Sequence, residues 1–202
     1  RSMSGGQAKQ LDERQPLFLS DLAYRALRYA ISVNEANAKM FRIVACPTAG
    51  ACGILPGVMQ AVGEVYNCDE DAYIQGFLAA AGVGNVVTNQ ACVAGAVGGC
   101  QAEVGTAAAM ASACAVAMMG GTTEEVVTAM TLCMKNVLGL VCDPVAGLVE
   151  VPCVKRNGIY AVHALASAEM AMAGLRSRIP ADEVIGAMDS IGRALPEALR
   201  ET

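Results

Sequence analysis

Two long stretches without a charged side chain dominate this sequence: residues 72–102 and 104–123, separated only by Glu103. Uncharged runs of this length belong out of water, in a membrane or in a protein core. Here they are built from Ala and Gly rather than Leu, Ile and Phe, and the first contains Asn85, Asn89, Gln90 and Gln101. A membrane span needs about 20 consecutive strongly apolar residues. Small residues instead let helices approach closely inside a soluble core, so we set the membrane reading aside. No sustained polar–apolar alternation marks a strand. The expected fold is mainly α: a compact bundle of buried Ala/Gly-rich helices with functional loops and few or no strands.

At 202 residues the chain is long enough for one domain with a real core. We read residues 1–202 as a single domain, with 1–16 a polar, loop-like leader. Ser20 or Asp21 can cap a helix running to about Ile43. Pro56 suits the first turn of a second, ending near Asn67. Helices are expected over 70–83, 85–97 and 102–119, the second stopping at Gly98-Gly99 and the third at Gly120-Gly121. Thr122 and Glu125 have capping-box spacing for a helix through about Leu138. Residues 158–175 look helical, and Pro180 opens a final helix to about Leu195.

Fourteen basic against nineteen acidic residues give a net charge of −5, with no basic run and no aromatic interleaving, which argues against nucleic acid as a partner. Nine cysteines is a high, odd count, and the opening RSMSGGQAKQ lacks the apolar segment of a secretory signal. Reduced thiols in a cytoplasmic protein are the consistent expectation. Cys68, Cys92, Cys114 and Cys133 then read as small buried hydrophobes. Cys46 and Cys52 are less certain, because ACPTAGACG is itself a candidate site loop.

Residues 139–157, GLVCDPVAGLVEVPCVKRN, set Cys142 and Cys153 each beside a proline and lead into Lys155, Arg156 and Asn157. Proline fixes its own φ and pushes the residue before it out of the α region, so this stretch is expected to be loop or extended turn. A third thiol, Cys100, follows two glycines in GGCQAEVGT. The three are 42 and 11 residues apart, no C-x2-C pair exists, and His163 is the lone histidine, none of which suits zinc. Three thiolates would suit an iron–sulfur cluster with one iron left free of protein ligands. Spacing alone also allows a proline-rich connection with incidental thiols.

The segments SGGQAKQL (4–11), ACPTAGACGILPG (45–57), GGCQAEVGTAAAMA (98–111) and GLVCDPVAGLVEVPCVKRN (139–157) decide between these. In order and spacing they resemble the α (catalytic) region of the iron–sulfur-dependent bacterial L-serine dehydratases, or serine deaminases, over most of the chain. The resemblance implies that Cys100, Cys142 and Cys153 hold a [4Fe–4S] cluster whose open iron polarises the serine hydroxyl. Serine would then yield pyruvate and ammonia, without pyridoxal phosphate; only four lysines and no glycine-rich phosphate loop are present. It also implies L-serine as substrate, a β chain or β domain as partner, poor activity for this chain alone, and a dimer or higher oligomer.

Around the thiols, Lys155 and Glu103 are candidates for proton transfer, and Thr48, Gly50, Arg156 and Asn157 for substrate binding. Arg156 also suits offsetting an anionic cluster. Asp143 is expected to cap a turn before Pro144, and His163 to be structural. The rival readings are an L-cysteine desulfidase on the same domain and a non-catalytic iron–sulfur protein.

Overall fold

A computed structural model describes residues 3–145 and 150–200. Its helices are α1 (Gln7–Asp12), α2 (Asp21–Ala38), α3 (Ile54–Tyr66), α4 (Glu70–Gln90), α5 (Gly95–Met118), α6 (Thr123–Lys135), α7 (Glu150–Met172) and α8 (Ala181–Ala194). A 3-10 turn at Glu197–Leu199 follows, and the described residues contain no strand. Among the described residues no helix is long and apolar enough to cross a membrane. The mainly α expectation holds.

The uncharged runs account for the architecture. α5 is the axle: α3, α4, α6, α7 and α8 all pack against it. All but three of its 24 residues are buried, and most of those are Ala or Gly. Short side chains let five neighbours reach one helix. α4, which carries most of the first uncharged run, is amphipathic only weakly and keeps an exposed face with Ile74, Phe77 and Leu78.

Local signals mark the helix starts. Ser20 accepts from the Ala23 N–H at the start of α2, and Asp69 from the Ala72 N–H at the start of α4. Thr122 and Glu125 form the full capping box of α6, each side chain accepting from the other residue's N–H. Pro56 lies in the first turn of α3, and Pro180 directly precedes α8.

Several boundaries differ, each for a physical reason. The leader is not all loop, since α1 forms within it. α2 stops at Ala38 instead of Ile43: Met40 adopts φ 62° and the Phe41 N–H returns 3.0 Å to the Ala36 carbonyl. That is a Schellman closure built without glycine, which is why it left no mark in the sequence. α4 runs unbroken through Gly82 and Gly84, so the two helices expected over 70–83 and 85–97 are one helix plus the start of α5. Inside α5, Gly99 takes φ 70° and ψ −175°, which breaks the helix directly before Cys100. α6 ends at Lys135, short of Leu138.

The largest correction concerns residues 150–157. They are the first two turns of α7 and not loop. Pro152 falls within the first turn, where no helical acceptor awaits its missing N–H. Cys153, Lys155, Arg156 and Asn157 therefore ride on a helix, while Cys142 stays outside any helix. Residues 146–149 of the predicted site stretch lie outside the described residues.

Gly82 is exposed in the middle of α4, and a Cβ placed there meets nothing within 4 Å. Gly82→Ala is expected to stabilise the chain by about 0.5–1 kcal/mol, read from the denaturation midpoint, because it restricts the unfolded chain and adds no clash.

Candidate active site

The Gly99 break sets Cys100 at the head of the long segment of α5, with its side chain fully buried. Cys142 and Cys153 are each 3 % exposed. The Cys153 thiol lies beside that of Cys100 and acts on its protonation. Arg156, one turn beyond Cys153 on α7, donates from Nη1 to the Cys100 sulfur at 2.9 Å and to the Val141 carbonyl at 3.1 Å. Its Nη2 lies 2.8 Å from Asp143 Oδ1. Val141 and Asp143 flank Cys142. One guanidinium on the helix of the third cysteine thus grips the first and both neighbours of the second.

The backbone around these thiols is braced from α5 and from the chain's last described turn. The Gln101 N–H donates to the Leu140 carbonyl, and the Gln101 side chain accepts from the Gly139 N–H, both at 2.9 Å. The Cys142 N–H donates 3.0 Å to the Leu199 carbonyl. The neighbouring Cys153 thiol and burial hold the Cys100 thiol well above the ordinary range, against the pull of Arg156. Burial works against the Arg156 charge, but Cys100 and Asp143 outweigh it and raise its pKa.

Among the described residues no trio of His, Cys, Asp and Glu is arranged as a metal-ion site. The donor chemistry nevertheless fits an iron–sulfur cluster. Cys100 and Cys153 lie beside each other, Cys142 sits between two residues that Arg156 contacts, and that half-buried cation offsets the charge of thiolates.

A second group of residues closes on this corner from the loop between α2 and α3. Thr48 Oγ1 donates to Glu103 Oε1. Glu103 is 5 % exposed and lies one turn beyond Cys100 on α5. A Cβ on Gly50 would stand 2.4 Å from the same oxygen, so only glycine lets the carboxylate lie against the loop. Asn157, fully buried, ties the loop to α7. Its Oδ1 accepts from the Gly53 N–H at 2.9 Å, while Nδ2 donates to the Gly50 and Cys153 carbonyls at 2.8 Å each. Cys46 and Cys52 flank the loop and line an open apolar cavity of about 670 Å³ that also takes in Val44, Leu55, Met59 and Phe77. Burial pushes the Cys46 thiol up to about 12, which suits an inert thiol rather than a nucleophile.

Of the predicted site residues, Cys100, Cys153, Arg156, Thr48, Gly50, Glu103 and Asn157 are joined by these contacts, and Cys142 is held between them. Lys155 is not. It is exposed and lines a groove with Ser4, Gln7, Leu27 and Ile31 on another face of α7. Asp143 pairs with Arg156, where a turn cap was expected. His163 is structural: its Nε2 lies 3.0 Å from the Cys133 carbonyl and its ring packs edge-on against Tyr160.

Sequence reasoning missed three anchoring carboxylate and amide groups. Glu150 Oε1 accepts from the N–H and the hydroxyl of Ser4 at 2.9 and 2.8 Å, and Glu35 Oε1 accepts from the Gln7 N–H at 2.6 Å. Asn34 donates to the Gly50 carbonyl. A signal did exist: Ala26, Ala30 and Asn34 repeat every four residues, which puts a polar side chain on the buried stripe of α2.

Comparison with known proteins finds relatives along most of the chain. The family model described as serine dehydratase alpha chain matches residues 1–202. A "Probable L-serine dehydratase, alpha chain" of Latilactobacillus sakei is 56% identical over 90% of this chain and 87% of its own length. The "L-serine dehydratase, alpha chain" of Peptoniphilus asaccharolyticus is 49% identical over 91% of this chain, and "L-serine dehydratase 1" of Escherichia coli K12 is 41% identical over 86%. This chain spans 63% and 39% of the length of those two relatives. With its whole length matched and its thiol corner, loop and carboxylate in contact, the chain belongs to the serine dehydratase alpha chain family.

Proposed function

We propose that this chain is the catalytic α component of an L-serine dehydratase, a cytoplasmic enzyme that turns L-serine into pyruvate and ammonia. Cys100, Cys142 and Cys153 are the residues that would hold a [4Fe–4S] cluster. When bound, it supplies a Lewis acid, at the iron without a cysteine, for the departing hydroxyl. The observation that carries this reading is Arg156, which contacts the Cys100 sulfur and both neighbours of Cys142 from the helix of Cys153.

The chain's own residues divide the remaining work. The Gly50 N–H binds the substrate carboxylate, joined by Thr48 Oγ1 once its hydroxyl turns from Glu103, and Asn157 keeps their loop against α7. Arg156 is engaged with Cys100, Val141 and Asp143, so its main role is to balance thiolate charge. Glu103, in near-complete burial beside the loop, takes the Cα proton; Lys155 faces the groove and has no part in that step. Loss of the proton and hydroxide leaves an enamine, which becomes an imine and hydrolyses to pyruvate and ammonia. Residues 1–202 form one catalytic domain, and a β chain or β domain completes an enzyme that is a dimer or larger.

The test is anaerobic reconstitution with iron and sulfide, with the β partner present, followed by spectroscopy with and without L-serine. The expected result is a cluster signal that shifts on adding serine and disappears in Cys142→Ser. A four-cysteine cluster indifferent to serine, or no cluster at all, would reject the assignment. Comparing turnover of serine and cysteine separates a dehydratase from a desulfidase.

A further inference from the structure

The loop that carries Thr48 and Gly50 is held from beneath by one stripe of α2. Asn37 Nδ2 donates to the Ala49 carbonyl at 2.9 Å, and Asn34 Nδ2 to the Gly50 carbonyl at 2.9 Å. Gly53 rests on the Ala30 carbonyl, so closely that a Cβ would stand 2.1 Å from it. Positions 30, 34 and 37 share a helix face, and they meet residues 53, 50 and 49 in reverse order. The Gly50 carbonyl is held twice, since Asn157 donates to it as well.

This clamping has a geometric result. Among the described residues the only cis peptide bond is Cys46-Pro47, so the peptides on both sides of Gly50 are trans. In a trans peptide the C=O and N–H point in opposite directions. Turning the Ala49 and Gly50 carbonyls toward α2 therefore turns the N–H groups of Gly50 and Ala51 away from it. Neither N–H has an acceptor among the described residues, although Ala51 is fully buried. Two consecutive donors aimed the same way, one of them on a fully buried residue, suit an anionic oxygen, and an unmet buried donor is costly unless a ligand satisfies it.

We infer that Asn34, seconded by Asn37, is a positioning residue for substrate: by fixing the Ala49 and Gly50 carbonyls it aims the Gly50 and Ala51 N–H groups at the carboxylate of the amino-acid substrate. The inference rests on the serine dehydratase reading, adds the Ala51 N–H to the substrate contacts, and explains why an amide sits on the buried face of α2. Asn34 is 3 % exposed and touches none of the three cluster thiols; its other neighbour is Cys52, at 3.8 Å.

The test compares the reconstituted enzyme with its Asn34→Ala and Asn37→Ala variants, titrating L-serine and L-serinamide, which lacks the carboxylate. Asn34→Ala is expected to raise the KM for serine about tenfold, with kcat within about threefold and iron per chain unchanged. The preference for serine over serinamide, read from the spectral shift, should fall by a similar factor. Asn37→Ala, at a half-exposed position, should shift both in the same direction by less, and it serves if Asn34→Ala does not fold. An unchanged serine-to-serinamide preference in a folded, iron-loaded variant would overturn the inference, since a purely structural amide would alter stability and not that ratio. Failure of the underlying reading would look different: the unaltered enzyme would not respond to serine.

Discussion

Glu103→Gln is expected to lower kcat by about two to four orders of magnitude while leaving iron per chain unchanged. Glu103 is the only charge between residues 72 and 123, yet it is 95% withdrawn from water, at 5 % exposure, in the most apolar part of the chain. A carboxylate is held in such a place at a cost that an uncharged amide of the same size would avoid. Glutamine can still accept from Thr48 Oγ1, so the loop should stay in place and the melting temperature should change little. What glutamine cannot do is take a proton. The decisive measurement is exchange of the serine Cα hydrogen with deuterated solvent, which should vanish along with turnover. A variant that keeps kcat within about fivefold would make Glu103 only an acceptor for Thr48 and move the base elsewhere.

Gly53→Ala should produce the largest loss of stability of any single methyl group added to this chain near the site. Its Cβ would stand 2.1 Å from the Ala30 carbonyl oxygen, 3.0 Å from that carbonyl carbon and 3.0 Å from Asn157 Oδ1. The first two are backbone atoms of α2, which cannot rotate aside as a side chain would. Either α3 lifts off α2 or the turn before it distorts, and both break the bond from the Gly53 N–H to Asn157. Overpacking of this kind costs about 3 kcal/mol or more, since rigid backbone removes the cheap relaxations. For a chain of 202 residues that is a fall in melting temperature of about 6–12 °C. Serine affinity should fall as well, because the same movement disturbs Gly50. A loss below about 1 kcal/mol by denaturant titration would mean that the start of α3 is seated less tightly on α2 than its contacts state.

How much of this was legible in the sequence depended on whether the signal was local. Ser20 and the Thr122–Glu125 box act within a few residues and mark their elements correctly, whereas Gly98-Gly99 breaks α5 at Gly99 and does not end a helix over 85–97. Asp69 caps α4 by the same local chemistry, and Pro56 opens α3. The prolines near Cys153 misled because the rule depends on position: Pro152 would break a helix interior, but in a first turn it is harmless. Gly84 gave a false break because it packs against Met110 inside α4 and costs the helix little that tertiary contact does not return.

The site divides in the same way. The thiols, Thr48, Gly50, Glu103 and Asn157 were readable as residue types in short segments. Their meeting was not, since Glu103 and Thr48 are 55 positions apart in the chain. Lys155 illustrates the converse. It neighbours Arg156 in sequence, but one residue is about 100° around a helix, and that step carries it into the groove beside Ser4. Treating 150–157 as loop hid this. Once the segment is helical, Cys153, Arg156 and Asn157 share one face by their three- and four-residue spacing, and Lys155 falls off it.

The composition of α5 also bears on how the molecule responds to temperature. A helix of alanine and glycine brings little apolar area per residue out of water, and its stability comes from close contact between backbones more than from large side chains. Alanine and glycine also have almost no rotamer freedom to lose. The heat capacity released on unfolding scales with exposed apolar area, so this core should fall below the usual value of about 12–15 cal/mol/K per residue. A small heat-capacity change flattens the curve of stability against temperature. The corner that holds Cys100 and Glu103 is thereby framed by a helix whose grip varies little between cold and warm conditions.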